Sequence, residues 1–136
     1  MTLQASISDG ATAISPTGGT AISLVAMGIQ NGIASTFVSQ DTSMLTRRTV
    51  DFSSKDPRAN AASPGGMTQA RRKVVLYVPR VVTVGSSSIT TQEKVTLEVA
   101  FDISATGAQI NNLRYLAAQL LADPELDNFY QAGSLA

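Results

Sequence analysis

Nine of the ten lysines and arginines in this 136-residue chain fall between positions 47 and 94. They are Arg47, Arg48, Lys55, Arg58, Arg71, Arg72, Lys73, Arg80 and Lys94; against three acids there, Asp51, Asp56 and Glu93, the segment has an excess of six positive charges, although the chain as a whole is neutral. Guanidinium and ammonium groups gathered in this way neutralise phosphates, so a cluster on one surface would favour a polyanion. The same residues also suit solvated strand ends and loops. Downstream the balance reverses, because Glu98, Asp102, Asp123, Glu125 and Asp127 are offset only by Arg114.

Other chemistry is poorly supplied. With no His and no Cys, there is no imidazole base, thiolate nucleophile, disulfide framework or soft metal ligand. Ser86-Ser87-Ser88 lacks a base to activate it and reads as a loop. Gly18-Gly19 and Gly65-Gly66 are not followed by the Gly-Lys-Ser/Thr of a phosphate loop. Asp123 and Glu125 flank Pro124 and are better explained by helix capping than by acid–base work. The expectation is a non-enzyme with no cofactor, metal or small-molecule substrate. No apolar run approaches the ~18 residues that span a bilayer, and the start has no basic and apolar leader pattern, so a cytosolic or particle-borne protein with no membrane partner is expected.

The elements that must position the basic residues are read from periodicity. From Lys94 to Ile103 every odd position is apolar and every even one polar or small, which is a strand with one buried face. The period then turns helical: Thr106 and Gln109 fit a capping box, and Ile110, Leu113, Leu116 and Leu120 form an apolar stripe. Asp123-Pro124-Glu125 starts a second, short helix. Upstream, Leu3 to Ile14 around Asp9-Gly10 suggests a hairpin. Strands are expected at about 20 to 26, from Asn31-Gly32 to Val38, from Leu45 to Ser53, from Arg71 to Pro79 and from 91 to 103. Ser54 to Ala70, with Pro57, Pro64, Gly65 and Gly66, reads as a long mobile loop, and Arg80 to Thr91, around Val84-Gly85-Ser86, as a second. The fold class is therefore α+β in a single domain over 1–136: hairpin about 3–14, five-stranded antiparallel sheet about 20–103, helices about 106–121 and 124–131.

Strand parity sorts the faces. If Val95, Leu97, Val99, Phe101 and Ile103 face the core, Lys94, Thr96, Glu98 and Asp102 face away. On the preceding strands Arg72, Val74, Leu76 and Val78, with Val50 and Phe52, make the core set. Arg47, Thr49, Asp51 and Ser53, with Arg71, Lys73, Val75 and Tyr77, are then on the open face. Arg47, Arg71, Lys73 and Lys94 thus form a patch interspersed with Thr49 and Thr96, able to bind phosphates and bases, with Asp51 and Glu98 acting against it. The helix stripe and the apolar strand face together exceed what a lone subunit of this size covers, which points to a partner. Helices folded back on their own sheet would instead make a monomeric α+β domain.

This element order and length resemble the coat proteins of the small single-stranded RNA bacteriophages, the levivirus-like group. The resemblance is carried by Asn31-Gly32-Ile33-Ala34-Ser35, by Val78-Pro79-Arg80-Val81 and by Leu116-Ala117-Ala118-Gln119-Leu120-Leu121-Ala122-Asp123-Pro124, in order and spacing over nearly the whole chain. It implies an intertwined dimer in which two sheets join edge to edge into a ten-stranded sheet, each subunit's helices packing on its partner. It also implies self-assembly into an icosahedral, T=3-like shell in the bacterial host cytoplasm, virion localisation, and single-stranded genomic RNA as the partner of the inner sheet face.

Transferred position by position, the family's RNA-contacting threonine corresponds to Thr49, and its neighbouring serine to Asp51. A threonine–lysine pair corresponds to Lys73 and Val75, a base-stacking tyrosine to Lys94, and the adjacent asparagine to Thr96. Stacking at that point is lost. Tyr77 is the candidate substitute, with an edge or dimer-contact role as the alternative. The resemblance-implied RNA site is therefore Arg47, Thr49, Arg71, Lys73, Tyr77, Lys94 and Thr96. Packaging needs only charge, whereas repression of translation through one stem-loop would need a different contact set. A dimeric RNA-binding regulator that forms no shell, and another virion component such as a tail or head-completion protein, are the rival readings.

Overall fold

A computed structural model describes residues 22–133, which divide into a sheet unit ending at Ile103 and a helical unit from Ser104. The expected hairpin at 3–14 lies outside the described residues. The sheet has five antiparallel strands in chain order: β1 (Leu24–Gln30), β2 (Ile33–Val38), β3 (Thr49–Lys55), β4 (Ala70–Val84) and β5 (Ser87–Phe101).

Turn chemistry explains the strand ends. Asn31 and Gly32 have φ of 52° and 76°, and two consecutive positive values match the right-handed twist of a tight hairpin. That turn draws the first strand to 24–30 instead of the expected 20–26, with a bulge between Ala26 and Gly28. Strand β3 starts at Thr49, not Leu45, because Arg47 N–H donates to the Ser43 carbonyl at 2.9 Å and closes a turn. Just after it, the Asp41 carboxylate accepts from Arg48 N–H at 2.8 Å and from its Nε at 2.9 Å. The side-chain hydrogen bond from Arg48 is the main reason that the Asp41 carboxyl is held below its ordinary value.

Both expected loops are corrected. Residues 80–84 and 87–91 are strand, with β4 and β5 paired without a break from Ala70↔Phe101 to Val84↔Ser87. Gly85, at φ 63°, reverses the chain. A two-stranded ribbon has no core to impose alternation, so its small polar residues read as loop. Residues 56–69 are not structureless either. Asn60 N–H donates to the Gly66 carbonyl and Thr68 N–H to the Arg58 carbonyl, both at 2.8 Å, and Ala59 bridges Met67.

Cross-strand register reproduces the expected parity. Val50, Leu76 and Val95 are direct partners, as are Phe52, Val74 and Leu97, so these apolar side chains share a face. It is incompletely covered: Val95 is 50 % exposed and Leu97 44 %. Apolar area of this kind marks an interaction surface.

In the helical unit, α1 (Gly107–Ala122) begins as expected: Thr106 Oγ1 accepts from Gln109 N–H at 3.3 Å, and Gln109 Oε1 accepts from Thr106 N–H at 2.9 Å. The expected second helix is split. Asp123 caps a 3₁₀ turn, Pro124–Leu126, and α2 (Asp127–Ala132) follows. The stripe residues Leu113 and Leu120 are exposed.

Candidate nucleic-acid interface

The candidate residues are brought into rows across β3, β4 and β5. In the first row Thr49 is opposite Tyr77, and Tyr77 opposite Lys94. In the second, Asp51 meets Val75 and Val75 meets Thr96; in the third, Ser53 meets Lys73 and Lys73 meets Glu98. Lys55, opposite Arg71, starts a fourth. Directly opposed residues of an antiparallel ladder lie on one side of the sheet, so Thr49, Arg71, Lys73, Tyr77, Lys94 and Thr96 share the face opposite the apolar one. Arg47 precedes β3 yet joins them: its guanidinium is 4.6 Å from the ring centre of Phe37, the direct partner of Thr49. Its Nη2 also donates to Met27 Sδ at 3.1 Å. A cation stacked on an aromatic ring keeps its N–H edges available to an acceptor.

Within this face Val75 is only 8 % exposed, between Asp51 and Thr96. Lys73, Lys94 and Thr96 are exposed, whereas Thr49 and Tyr77 are half-buried. A phosphate backbone laid across the sheet therefore meets the lysines before the aromatic ring.

The cations are not equivalent. Arg71 Nη1 is 3.2 Å from Glu98 Oε1, an exposed pair that partly neutralises one expected contact. Lys73 and Lys94 have no ion-pair partner among the described residues. Arg72 and Arg80 pair with Asp56 and Glu93 at 2.9 and 3.0 Å, and β4 parity puts both on the apolar side.

Two residues outside the expected set join the site. Lys55 and Arg58, with Arg71, Lys73 and Glu98, line a depression of about 430 Å³. Continuing the β3 alternation two residues past Ser53 would have added Lys55. Arg58 had no such signal, since its position depends on the hydrogen bonds that fold the 56–69 segment. A neighbouring hollow of about 570 Å³ shares Lys55, Arg58 and Arg71 and adds Thr68 and Gln69 as hydrogen-bonding groups.

The described residues thus form a meander of five antiparallel strands, with exposed apolar side chains on one face and cations on the other, followed in the chain by two helices, which is the architecture of a structural subunit. Among solved structures, the virus-like particle of bacteriophage GQ-907 matches with a TM-score of 0.82 and 30 % identity, covering 98 % of each chain. The virus-like particle of Beihai levi-like virus 21 matches at 0.67 and 24 % identity over 88 % of this chain and 91 % of that one. The protein capsid of bacteriophage GA has the same fold at 0.55 and 18 % identity, with the same coverages. No protein-family model and no curated protein matches the chain. The chain belongs to the coat proteins of the levivirus-like RNA bacteriophages, and its role is that of a structural capsid protein.

Proposed function

We propose that the chain acts as a single coat subunit that dimerises, assembles into an icosahedral, T=3-like shell and packages single-stranded RNA against the basic sheet face. The observation that carries the RNA half is the register: three adjacent strands align Thr49, Arg71, Lys73, Tyr77, Lys94 and Thr96 on the side opposite Val95 and Leu97. Exposed Val95 and Leu97 support the assembly half, because a partner's helices on that face would bury both; covering ~100 Å² of apolar surface is worth ~2.5 kcal/mol. The virus-like particles formed by the relatives support shell formation and a place in the virion; assembly in the host cytoplasm is part of the same proposal.

RNA binding on this face is chiefly electrostatic. Lys73 and Arg47 are the cations best disposed to meet phosphates, while Thr49 and Thr96 offer hydroxyls. Sequence-specific repression is the weaker fit, because Lys94 and Asp51 replace the family's stacking and hydroxyl contacts. Filter binding of purified dimers to generic single-stranded RNA over a salt series tests this reading, with affinity falling as salt rises. Electron microscopy separates it from a regulator that stays dimeric, and nucleic-acid absorbance of the particles separates it from a virion protein that needs no RNA.

A further inference from the structure

Arg47 is held differently from the other cations of the basic face. The first row of partners runs across all five strands, Val25↔Phe37↔Thr49↔Tyr77↔Lys94, so the Phe37 ring is on the same face as Lys94. The Arg47 guanidinium is 4.6 Å from the centre of that ring. On β1 the bulge between Ala26 and Gly28 leaves Met27 without a ladder partner, and its thioether accepts from Arg47 Nη2 at 3.1 Å. Bulges commonly re-aim a side chain in this way. Two contacts therefore fix the group: the ring sets where the guanidinium lies, and the sulfur sets its rotation.

Among the described residues Arg47 has no ion-pair partner, and no second ring stacks on it. A guanidinium is planar and delocalised, so one face on an aromatic ring leaves the other as a surface on which a nucleobase stacks. The other members of the face are less suited to that role. Lys73 and Lys94 are point charges with no plane, and Tyr77 is half-buried within its row between Thr49 and Lys94.

We infer that Arg47 is the base-stacking residue of this face, an unpaired base of the single strand lying on its guanidinium in a three-layer stack over Phe37. This rests on the RNA-packaging reading above. Thr49, the direct partner of Phe37, places a hydroxyl beside the stack for the edge of the base. The role is distinct from phosphate neutralisation, which any cation supplies: the plane of Arg47 holds the base, while its remaining N–H edge meets the backbone. Since every base has a π-face, such a stack separates a base from no base and does not read one sequence.

Two single-stranded RNA oligonucleotides of one length, one all adenosine and one with abasic sites throughout, carry the same phosphates and differ in their bases alone. Fluorescence anisotropy with purified dimers should find the adenosine strand bound more tightly by the wild type. Arg47→Lys keeps the charge and removes the plane, so the adenosine-to-abasic affinity ratio should fall about fivefold, while the salt slope stays at the wild-type value. Phe37→Leu, which keeps an apolar residue in β2 and removes the ring, should lower the ratio in the same direction, with sizing to show that the dimer persists. A ratio near one in the wild type, or one unchanged in Arg47→Lys, makes the guanidinium a phosphate contact alone; it overturns the stack and leaves RNA binding standing. A ratio that falls in Arg47→Lys but not in Phe37→Leu overturns the three-layer arrangement. A wild type that binds neither strand at low salt overturns the RNA reading beneath it.

Discussion

Lys73 and Glu98 are direct cross-strand partners, and substituting each should shift RNA binding in opposite directions. Lys73→Ala removes an exposed cation that has no ion-pair partner among the described residues. If its ammonium neutralises one phosphate, the log–log salt slope of affinity for single-stranded RNA should flatten by about 0.7. Glu98→Ala removes the carboxylate 3.2 Å from Arg71, releasing that guanidinium for a phosphate, so the slope should steepen by about 0.7. The two variants then differ by about 1.4 in slope. Over a fourfold change in salt, that is about a sevenfold divergence in relative affinity. Filter binding of purified dimers across such a series is the assay, with sizing at each salt to show that the dimer persists. Arg114→Ala is the charge-matched control. Arg114 is on α1, where its Nη1 donates to Asn111 Oδ1 at 3.3 Å, and its loss should leave the slope unchanged. Equal slopes for wild type and both variants would refute the sheet-face site and move attention to Lys55 and Arg58.

Other outcomes follow from the same geometry. Phe101→Ala should cost about 3–5 kcal/mol in the assembled protein and abolish dimers or shells, whereas Thr96→Ala, exposed on the other face, should change stability by less than about 0.5 kcal/mol; denaturant melts and sizing read both. Thr106→Ala removes the hydroxyl that caps α1 and should cost about 1 kcal/mol, read by thermal melting in far-UV circular dichroism. Asp41 has a carboxyl pKa lowered by Arg48, so its contribution is present above the unfolded-state carboxylate pKa and is lost as pH falls through the lower, folded value. The stability gap between wild type and Asp41→Asn should therefore close in acid, as denaturant titrations at a series of pH values would show. Without cysteine, shells should dissociate at the same denaturant concentration with and without reductant.

The parts of the fold legible in the sequence are those where one physical rule acts alone. The alternation from Lys94 to Ile103 assigned both faces of β5, and the observed partners of Val95, Leu97, Thr96 and Glu98 agree with it. Thr106 and Gln109 marked the start of α1 by local hydrogen-bonding chemistry. The misses occur where the decisive partner is distant. The strand character of Val81 and Ile89 comes from pairing along a ribbon, since both are exposed. Arg71 and Glu98 are 27 residues apart, so their ion pair depends on a register that composition cannot reveal. Likewise, the Asp41–Arg48 clamp, which delays the start of β3, gives no periodic signal. In the site, parity grouped the strand residues correctly but could not rank them, because ranking depends on which cation already has a carboxylate beside it.

The central claim is that this single chain builds an RNA-containing shell. Electron microscopy of material from bacteria expressing it alone, with absorbance spectra after nuclease treatment, tests that claim most directly. Spherical particles of icosahedral symmetry with protected nucleic acid are the expected result. Only soluble dimers or monomers under assembly conditions would contradict shell formation, and intact particles without nucleic-acid absorbance would contradict the RNA-binding face.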